Sequence, residues 1–323
     1  MSFSDRLASA VKKKKTPVLV GLDPRWAQLP TQFTDGKDKS NPDVVAAAFE
    51  DFCYAVLDVV AELVPAVKPQ AAFFEQYGPS GMKALANVIA YAHKKGLLVL
   101  FDGKRNDIGS TASAYAAGLL GAGGQSPWGA DALTVSPYLG DDSLTPFVET
   151  AQERGAGIFI LVKTSNPGGA MLQDLLVTRS PSMGEEGSLE PLYRVVGRYV
   201  NDLSVQSRAR GISAANPYGD VGAVVGATWP EQLTELRQVM KQTWFLVPGY
   251  GSQGGGARDV AGAFDENGLG ALINNSRGIL FAFRSDKYSN QYGESNWERA
   301  VEAATRDMVA SLAAETSAGR LDF

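Results

Sequence analysis

Leu97-Leu98-Val99-Leu100-Phe101-Asp102-Gly103-Lys104-Arg105-Asn106-Asp107-Ile108-Gly109-Ser110-Thr111 contains a strand, a turn and the start of a helix in one short stretch. The apolar run Leu97 to Phe101 has the length of a buried strand, and Gly109-Ser110-Thr111 opens a helix-period segment, Ser110 to Leu120. Between them lies a cluster of charge at a strand tip. Side chains alternate faces on an extended backbone, so Asp102 and Lys104 project the same way while Gly103 avoids crowding the opposite face. Asp107 lies beyond the strand, in a turn that can carry it back over the tip or toward a neighbouring subunit. Taken alone, the cluster reads equally as a solvated ion pair and as a functional site.

Outward from this stretch the same succession of apolar run, polar turn and helical pattern recurs, which is the signature of repeated βα units. Strands are expected at Pro17 to Leu22, Ala66 to Phe74, Leu97 to Phe101, Ala132 to Val135, Gly157 to Val162, Gly222 to Ala227, Trp244 to Val247 and Gly270 to Asn274. Helices are expected at about residues 3–15 and at Asp43 to Val64, Ser80 to Lys95, Ser110 to Leu120, Glu190 to Arg210, Pro230 to Lys241 and Trp297 to Ala314. Eight parallel strands with alternating helices define an α/β fold, a closed (β/α)8 TIM barrel, here a single domain over residues 1–323 with long loops after strands 1 and 5. An open doubly wound sheet would need a phosphate-binding glycine fingerprint after its first strand, and Gly21-Leu22-Asp23-Pro24-Arg25 does not supply one. The stretches Gly121 to Gly129 and Ser180 to Ser188 read as connections.

Barrel enzymes carry their chemistry at the C-terminal ends of the strands. Those ends hold Asp23, Lys68, Asp102, Lys104, Ser165, Gln253 and Arg277. Clustered charges cost desolvation unless they neutralise one another or meet a charged ligand, so the rim reads as functional and anion-directed. Pro248-Gly249-Tyr250-Gly251-Ser252-Gln253-Gly254-Gly255-Gly256 and Asn275-Ser276-Arg277-Gly278 follow the seventh and eighth strands, where barrels commonly bind phosphate. Glycines expose amide donors there, and arginine offers a planar fork for phosphate oxygens.

Composition removes several classes of function. The chain of 323 residues is 45% hydrophobic and 20% charged with a net charge of -5, which gives no footprint for nucleic acid or an anionic membrane. No stretch approaches the roughly 18 apolar residues of a membrane span. Met1 to Lys15 lacks a signal-peptide apolar region, so the expected location is the cytoplasm. The lone cysteine, Cys53, excludes an intrachain disulfide and a multi-cysteine zinc site, and reads as a packed small hydrophobe. His93, the lone histidine, sits by a helix end marked by Lys94, Lys95 and Gly96 and reads as structural, which argues against histidine triads and His-rich metal sites. Lys12 to Lys15 complement a helix C-terminus more simply than they make a nucleic-acid patch.

Together these residues resemble the orotidine 5′-phosphate decarboxylase family, in particular its longer-chain bacterial-type subgroup. The family pattern Asp-x-Lys-x-x-Asp-Ile-Gly-x-Thr stands as Asp102, Lys104, Asp107, Ile108, Gly109 and Thr111, its first-strand aspartate as Asp23 and its second-strand lysine as Lys68. The pyrimidine-contacting serine corresponds to Ser165, the phosphate-side glutamine to Gln253 and the phosphate arginine to Arg277. The resemblance spans nearly the whole barrel. Trp26 to Pro42 and Met171 to Glu190 are longer than in compact relatives, which bears on lid geometry and oligomer packing rather than on the reaction.

The resemblance implies decarboxylation of orotidine 5′-phosphate to uridine 5′-phosphate, the last step of de novo UMP biosynthesis, with neither cofactor nor metal. It implies an alternating array of Lys68, Asp102, Lys104 and Asp107, with Lys104 as proton donor, and a homodimer in which Asp107 and Thr111 act across the interface. Opposite charges at close range keep both lysines protonated. Sister phosphosugar enzymes of this barrel group, keto-gulonate phosphate decarboxylase and hexulose phosphate synthase, need a carboxylate for Mg²⁺ where Lys68 stands. A Schiff-base aldolase would need Lys104 neutral, against its flanking acids. A non-catalytic nucleotide-binding barrel is the remaining alternative.

Overall fold

Strands covered on both faces must be apolar almost throughout, and eight such runs close into one parallel barrel. The computed structural model describes residues 1–178, 189–209, 216–251 and 253–322. Its strands are β1 (Val18–Leu22), β2 (Ala66–Pro69), β3 (Leu98–Arg105), β4 (Ala132–Val135), β5 (Gly157–Lys163), β6 (Leu176–Thr178), β7 (Leu189–Pro191), β8 (Val221–Val225), β9 (Phe245–Val247) and β10 (Ala271–Asn275). The barrel order is β1-β10-β9-β8-β5-β4-β3-β2, with β1 pairing with β2 on one side and β10 on the other. At the closing seam Val18 faces Ile273.

Helices fill the outer layer. The helix Pro42–Val60 starts with Asn41, whose side chain accepts from the Asp43 amide, and with proline at its first position, where no amide is needed. It buries Phe49, Phe52, Cys53 and Val56, so the cysteine is a core residue as expected. The helix Phe3–Lys14 lies across the N-terminal end of the barrel, with the Phe3 ring edge-on to Phe159 at 6.0 Å. The Ser4 amide donates to Asp220 at 2.7 Å, and Lys12, Lys13 and Lys14 occupy the last helical turn. At the same end His93 bonds the buried Asp131 at 2.9 Å, and Asp131 also accepts from Arg6 and from the Val99 amide. His93 therefore has a structural partner far from the opposite rim.

Several expected boundaries move. The strand expected through Phe74 ends at Pro69, and Ala72–Glu75 is a helical turn. Proline has no amide for the ladder, and the Ala71 amide instead donates to the Asp102 carbonyl at 3.2 Å. β3 runs on past Phe101 to Arg105, with its register against β4 shifting between those residues. The helix Asp141–Arg154 was not among those expected; it carries Pro146 internally, which masks its pattern. Both long loops are present. The one after β1 holds short turns at Trp26–Gln28 and Thr31–Thr34, and the one after β5 holds a short helix, Ala170–Gln173, and the antiparallel pair β6 and β7. The expected connection Ser180 to Ser188 lies outside the described residues, as does Arg210 at the end of the helix Leu192–Ala209. Among the described residues no helix is long and apolar enough to cross a membrane.

Candidate active site

The C-terminal ends of the strands surround a cavity of about 630 Å³. Of the nine residues singled out in the sequence, Asp23, Lys68, Asp102, Lys104, Ser165, Gln253 and Arg277 line it. Asp107 and Thr111 do not. Asp107 accepts from the Ile108 amide at 2.9 Å in the turn after β3, and Thr111 is exposed on the first turn of the helix Gly109–Leu119.

Asp102 is the hub. Its two carboxylate oxygens accept from Lys68 and Lys104, each at 2.6 Å, and the Thr134 hydroxyl donates to it at 2.9 Å. Asp102 and Lys68 are buried, whereas the Lys104 side chain is about half exposed to the cavity. Burial by itself would raise the Asp102 carboxyl, but the two ammonium groups outweigh it and hold the acid well below the usual carboxylate range. For Lys68 burial acts to lower the amine, and the charges of Asp102 and Asp23 reverse this and raise it. Both partners therefore stay ionised near neutral pH.

Strand alternation only partly explains how Lys104 reaches Asp102. Lys104 has φ 42°, a left-handed conformation that costs a non-glycine residue on the order of 1–3 kcal/mol. The bulge is held by the Lys104 amide donating to the Thr134 hydroxyl at 2.9 Å and by the Ser136 amide donating to the Arg105 carbonyl at 2.9 Å. A side chain at Gly103 would meet the Phe101 ring at 2.7 Å, so glycine is required inside this bulge. Thr134 thus serves both Asp102 and Lys104. It was missed in the sequence, although a lone polar residue in the run Ala132 to Val135 was a signal.

Across the cavity Ser165 follows β5. A Cβ at Gly226 would sit 2.6 Å from the Ser165 Cα, so β8 can approach this serine only through glycine. A Cβ at Gly249 would lie 3.3 Å from both the Ser165 Cβ and the Gln253 Oε1, which brings the serine and the glutamine side chains together beside that glycine. Arg277 opens the short turn after β10 and is exposed toward the cavity. Sequence reasoning also missed Arg25, Gln70 and Asn274, which line the same space. Asp23 Oδ1, Arg25 Nε and Asn274 Oδ1 are buried without a hydrogen-bond partner, so the wall carries unspent polar capacity. Among the described residues no group of three His, Cys, Asp or Glu side chains is placed to hold a metal ion.

A closed barrel with a lysine–carboxylate–lysine hub facing an arginine and a glycine-rich loop defines the class, a (β/α)8 enzyme with its site at the C-terminal rim. The chain belongs to the orotidine 5′-phosphate decarboxylase / HUMPS family, whose model matches residues 16–287. An orotidine 5′-phosphate decarboxylase from Rhodopirellula baltica is 53% identical over 314 residues, 97% of this chain and 99% of its own. One from Caldicellulosiruptor bescii is 36% identical over 98% of this chain and 100% of its own. The solved structure of Leishmania donovani OMP decarboxylase superposes with a TM-score of 0.70 at 31% identity, covering 98% of each chain.

Proposed function

We propose that this protein decarboxylates orotidine 5′-phosphate to uridine 5′-phosphate as a cytoplasmic homodimer, each chain forming one decarboxylase domain. The observation that carries the reading is the convergence of Lys68 and Lys104 on the single buried carboxylate of Asp102 at the cavity wall. Full-length similarity to decarboxylases supports it.

Loss of CO₂ breaks the bond between the ring carbon and its carboxylate and leaves the electron pair on that carbon, where no ring carbonyl is placed to absorb it. Fixed charge must then stabilise the carbanion. In this reading Lys104 faces that carbon, opposes the developing charge and delivers its proton there. The resulting amine is reprotonated from solvent. Asp102, beside the departing carboxylate, keeps Lys104 charged and aimed, and Lys68 neutralises the other oxygen of Asp102. Asp107 from the second subunit completes the array, with Thr111 beside it on the substrate. The exposed apolar residues Ile108, Tyr115, Tyr138 and Leu139 are available for such a subunit contact.

A unit-charge contact at about 4 Å is worth about 4 kcal/mol at an effective dielectric near 20, less than the ~8–23 kcal/mol that enzymatic accelerations require. The remainder falls to binding energy gathered away from the ring. Arg277 and Gln253 grip the phosphate, Ser165 contacts the pyrimidine, and the unpaired Asp23 Oδ1 accepts from the ribose, so that positioning and exclusion of water lower the barrier.

The Mg²⁺-dependent phosphosugar chemistry is disfavoured because Lys68 stands where those enzymes need a carboxylate, and its ammonium, paired with Asp102 and held charged by Asp102 and Asp23, repels a divalent cation. The deciding experiment follows the absorbance of orotidine 5′-phosphate with EDTA present. Full turnover is expected. No turnover, or turnover abolished by EDTA and restored by Mg²⁺, overturns the assignment.

A further inference from the structure

Lysine is almost never fully buried without a partner. Lys163, the last residue of β5, is buried with its Nζ over the Trp229 ring at 4.4 Å and the Tyr193 ring at 5.3 Å. Its ammonium is paired with Asp174, which follows the short helix Ala170–Gln173 in the loop after β5. The Asp174 side chain is 42% exposed, so the pair ties an inner anchor to an outer segment.

What that segment carries gives the pair its significance. Gln173, next to Asp174, accepts from the Thr164 amide at 3.0 Å and donates to the Thr164 hydroxyl at 2.8 Å. Trp229, under the Lys163 ammonium, donates through its indole nitrogen to the Thr164 carbonyl at 2.9 Å. Thr228 donates to the Ser165 carbonyl at 2.9 Å, and the Gly226 amide to the Lys163 carbonyl at 2.7 Å. The backbone around Ser165 is therefore fixed from both the barrel and the loop. The same segment places Met171 and Leu172 on the cavity lining, Met171 being 81% exposed there.

We infer that Lys163 and Asp174 are positioning residues for the base-binding half of the site: their ion pair clamps Gln173 onto Thr164 and so sets Ser165 and the Met171–Leu172 cover against a pyrimidine ring. Neither residue touches substrate. The inference rests on the decarboxylase reading but concerns one half of the cavity, because Gln253 and Arg277 lie on other loops. Loss of the clamp acts on the base and leaves the phosphate grip alone.

The test compares Lys163→Met, which keeps an unbranched chain over the two rings, and Asp174→Ala with the parent protein. Both variants are expected to lose about 100-fold in kcat/KM for orotidine 5′-phosphate, the scale of a misplaced contact remote from the chemistry. They bind UMP correspondingly more weakly, yet bind ribose 5-phosphate, which lacks a base, as the parent does. The double variant loses no more than either single one, as for two members of one pair. Asp174 is half solvated, so Asp174→Ala carries the comparison even where Lys163→Met fails to fold. Unchanged kcat/KM in Asp174→Ala, or equal weakening of UMP and ribose 5-phosphate, overturns the inference. Parent turnover in the same assay reports separately on the decarboxylase reading.

Discussion

Substituting Asp102 by asparagine keeps the shape of the side chain and its bond from Thr134 but removes the charge that Lys68 and Lys104 share. Lys104 is half exposed and can turn to water, so little of its contact enters the stability. Lys68 cannot, since only 5% of its side chain is accessible. Breaking a buried pair by removing one partner costs about 3–5 kcal/mol, consistent with about 4 kcal/mol for unit charges ~4 Å apart at an effective dielectric near 20. The pH dependence is the sharper signature. In the parent, the raised Lys68 amine gives stability that is complete below its ordinary value of 10.5 and is lost only as pH rises through the folded value. The lowered Asp102 carboxyl gives stability present above 3.8 and lost as pH falls through its folded value. Between those limits the pair contributes a constant amount. In Asp102→Asn burial acts on Lys68 with Asp23 as the remaining counter-charge, and its folded value drops below the unfolded one. The variant should then be less stable at about pH 7 than at about pH 10, whereas a surviving ion pair would show no difference between the two. Urea unfolding at both pH values measures this. Lys68→Met in the same background should recover most of the stability without restoring turnover. An Asp102→Asn protein within about 1 kcal/mol of the parent, with a flat pH profile, would refute the burial argument.

Arg277→Ala should lower kcat/KM by about 10–100-fold, the equivalent of one charged hydrogen bond of about 1.5–3 kcal/mol, while the urea midpoint stays put; unchanged kcat/KM removes phosphate from the mechanism. Asp131 sits at the opposite end of the barrel, where burial raises its carboxyl but His93 and Arg6 outweigh this and lower it, so its stability is lost as pH falls through the folded value. Asp131→Ala should cost about 3–5 kcal/mol and flatten the acid limb of unfolding with kcat at neutral pH unaltered; a kcat loss would show that the two ends communicate. Lys104→Ala and Asp107→Ala should each be inactive, yet after co-refolding should recover about a quarter of parental activity through hybrids with one intact site. No recovery would place both residues in the same subunit's site.

The barrel was legible because each strand is an apolar run between polar turns, and the rim followed because all eight strand ends face one way. Lys68, Asp102 and Lys104 could therefore be brought together before their contacts were known. What escaped depends on tertiary geometry with no local pattern. The bulge that turns Lys104 onto Asp102 needs Thr134 on the neighbouring strand, and nothing near Lys104 announces it. Phe73 and Phe74 look like strand residues, but Pro69 ends the ladder before them. β6 and β7 are short and carry exposed leucines, so they leave no alternation to read. Nothing beside Lys163 in the sequence marks it as interior; the rings of Trp229 and Tyr193, far along the chain, make it so. Asp107 and Thr111 were placed by the family pattern, and the turn that carries them leads out of their own chain's cavity.

The seam between β1 and β10 joins the first strand to the last, so nearly the whole polypeptide must leave the ribosome before the barrel can shut. Until then β1 presents an unpaired edge, open to any extended segment nearby. High contact order of this kind slows folding and exposes the nascent chain to aggregation. The helix Phe3–Lys14 adds to the delay, since Ser4 finds Asp220 only after the sixth barrel strand is due. Circular permutants that open the barrel elsewhere would move this vulnerable interval along translation without altering the finished site.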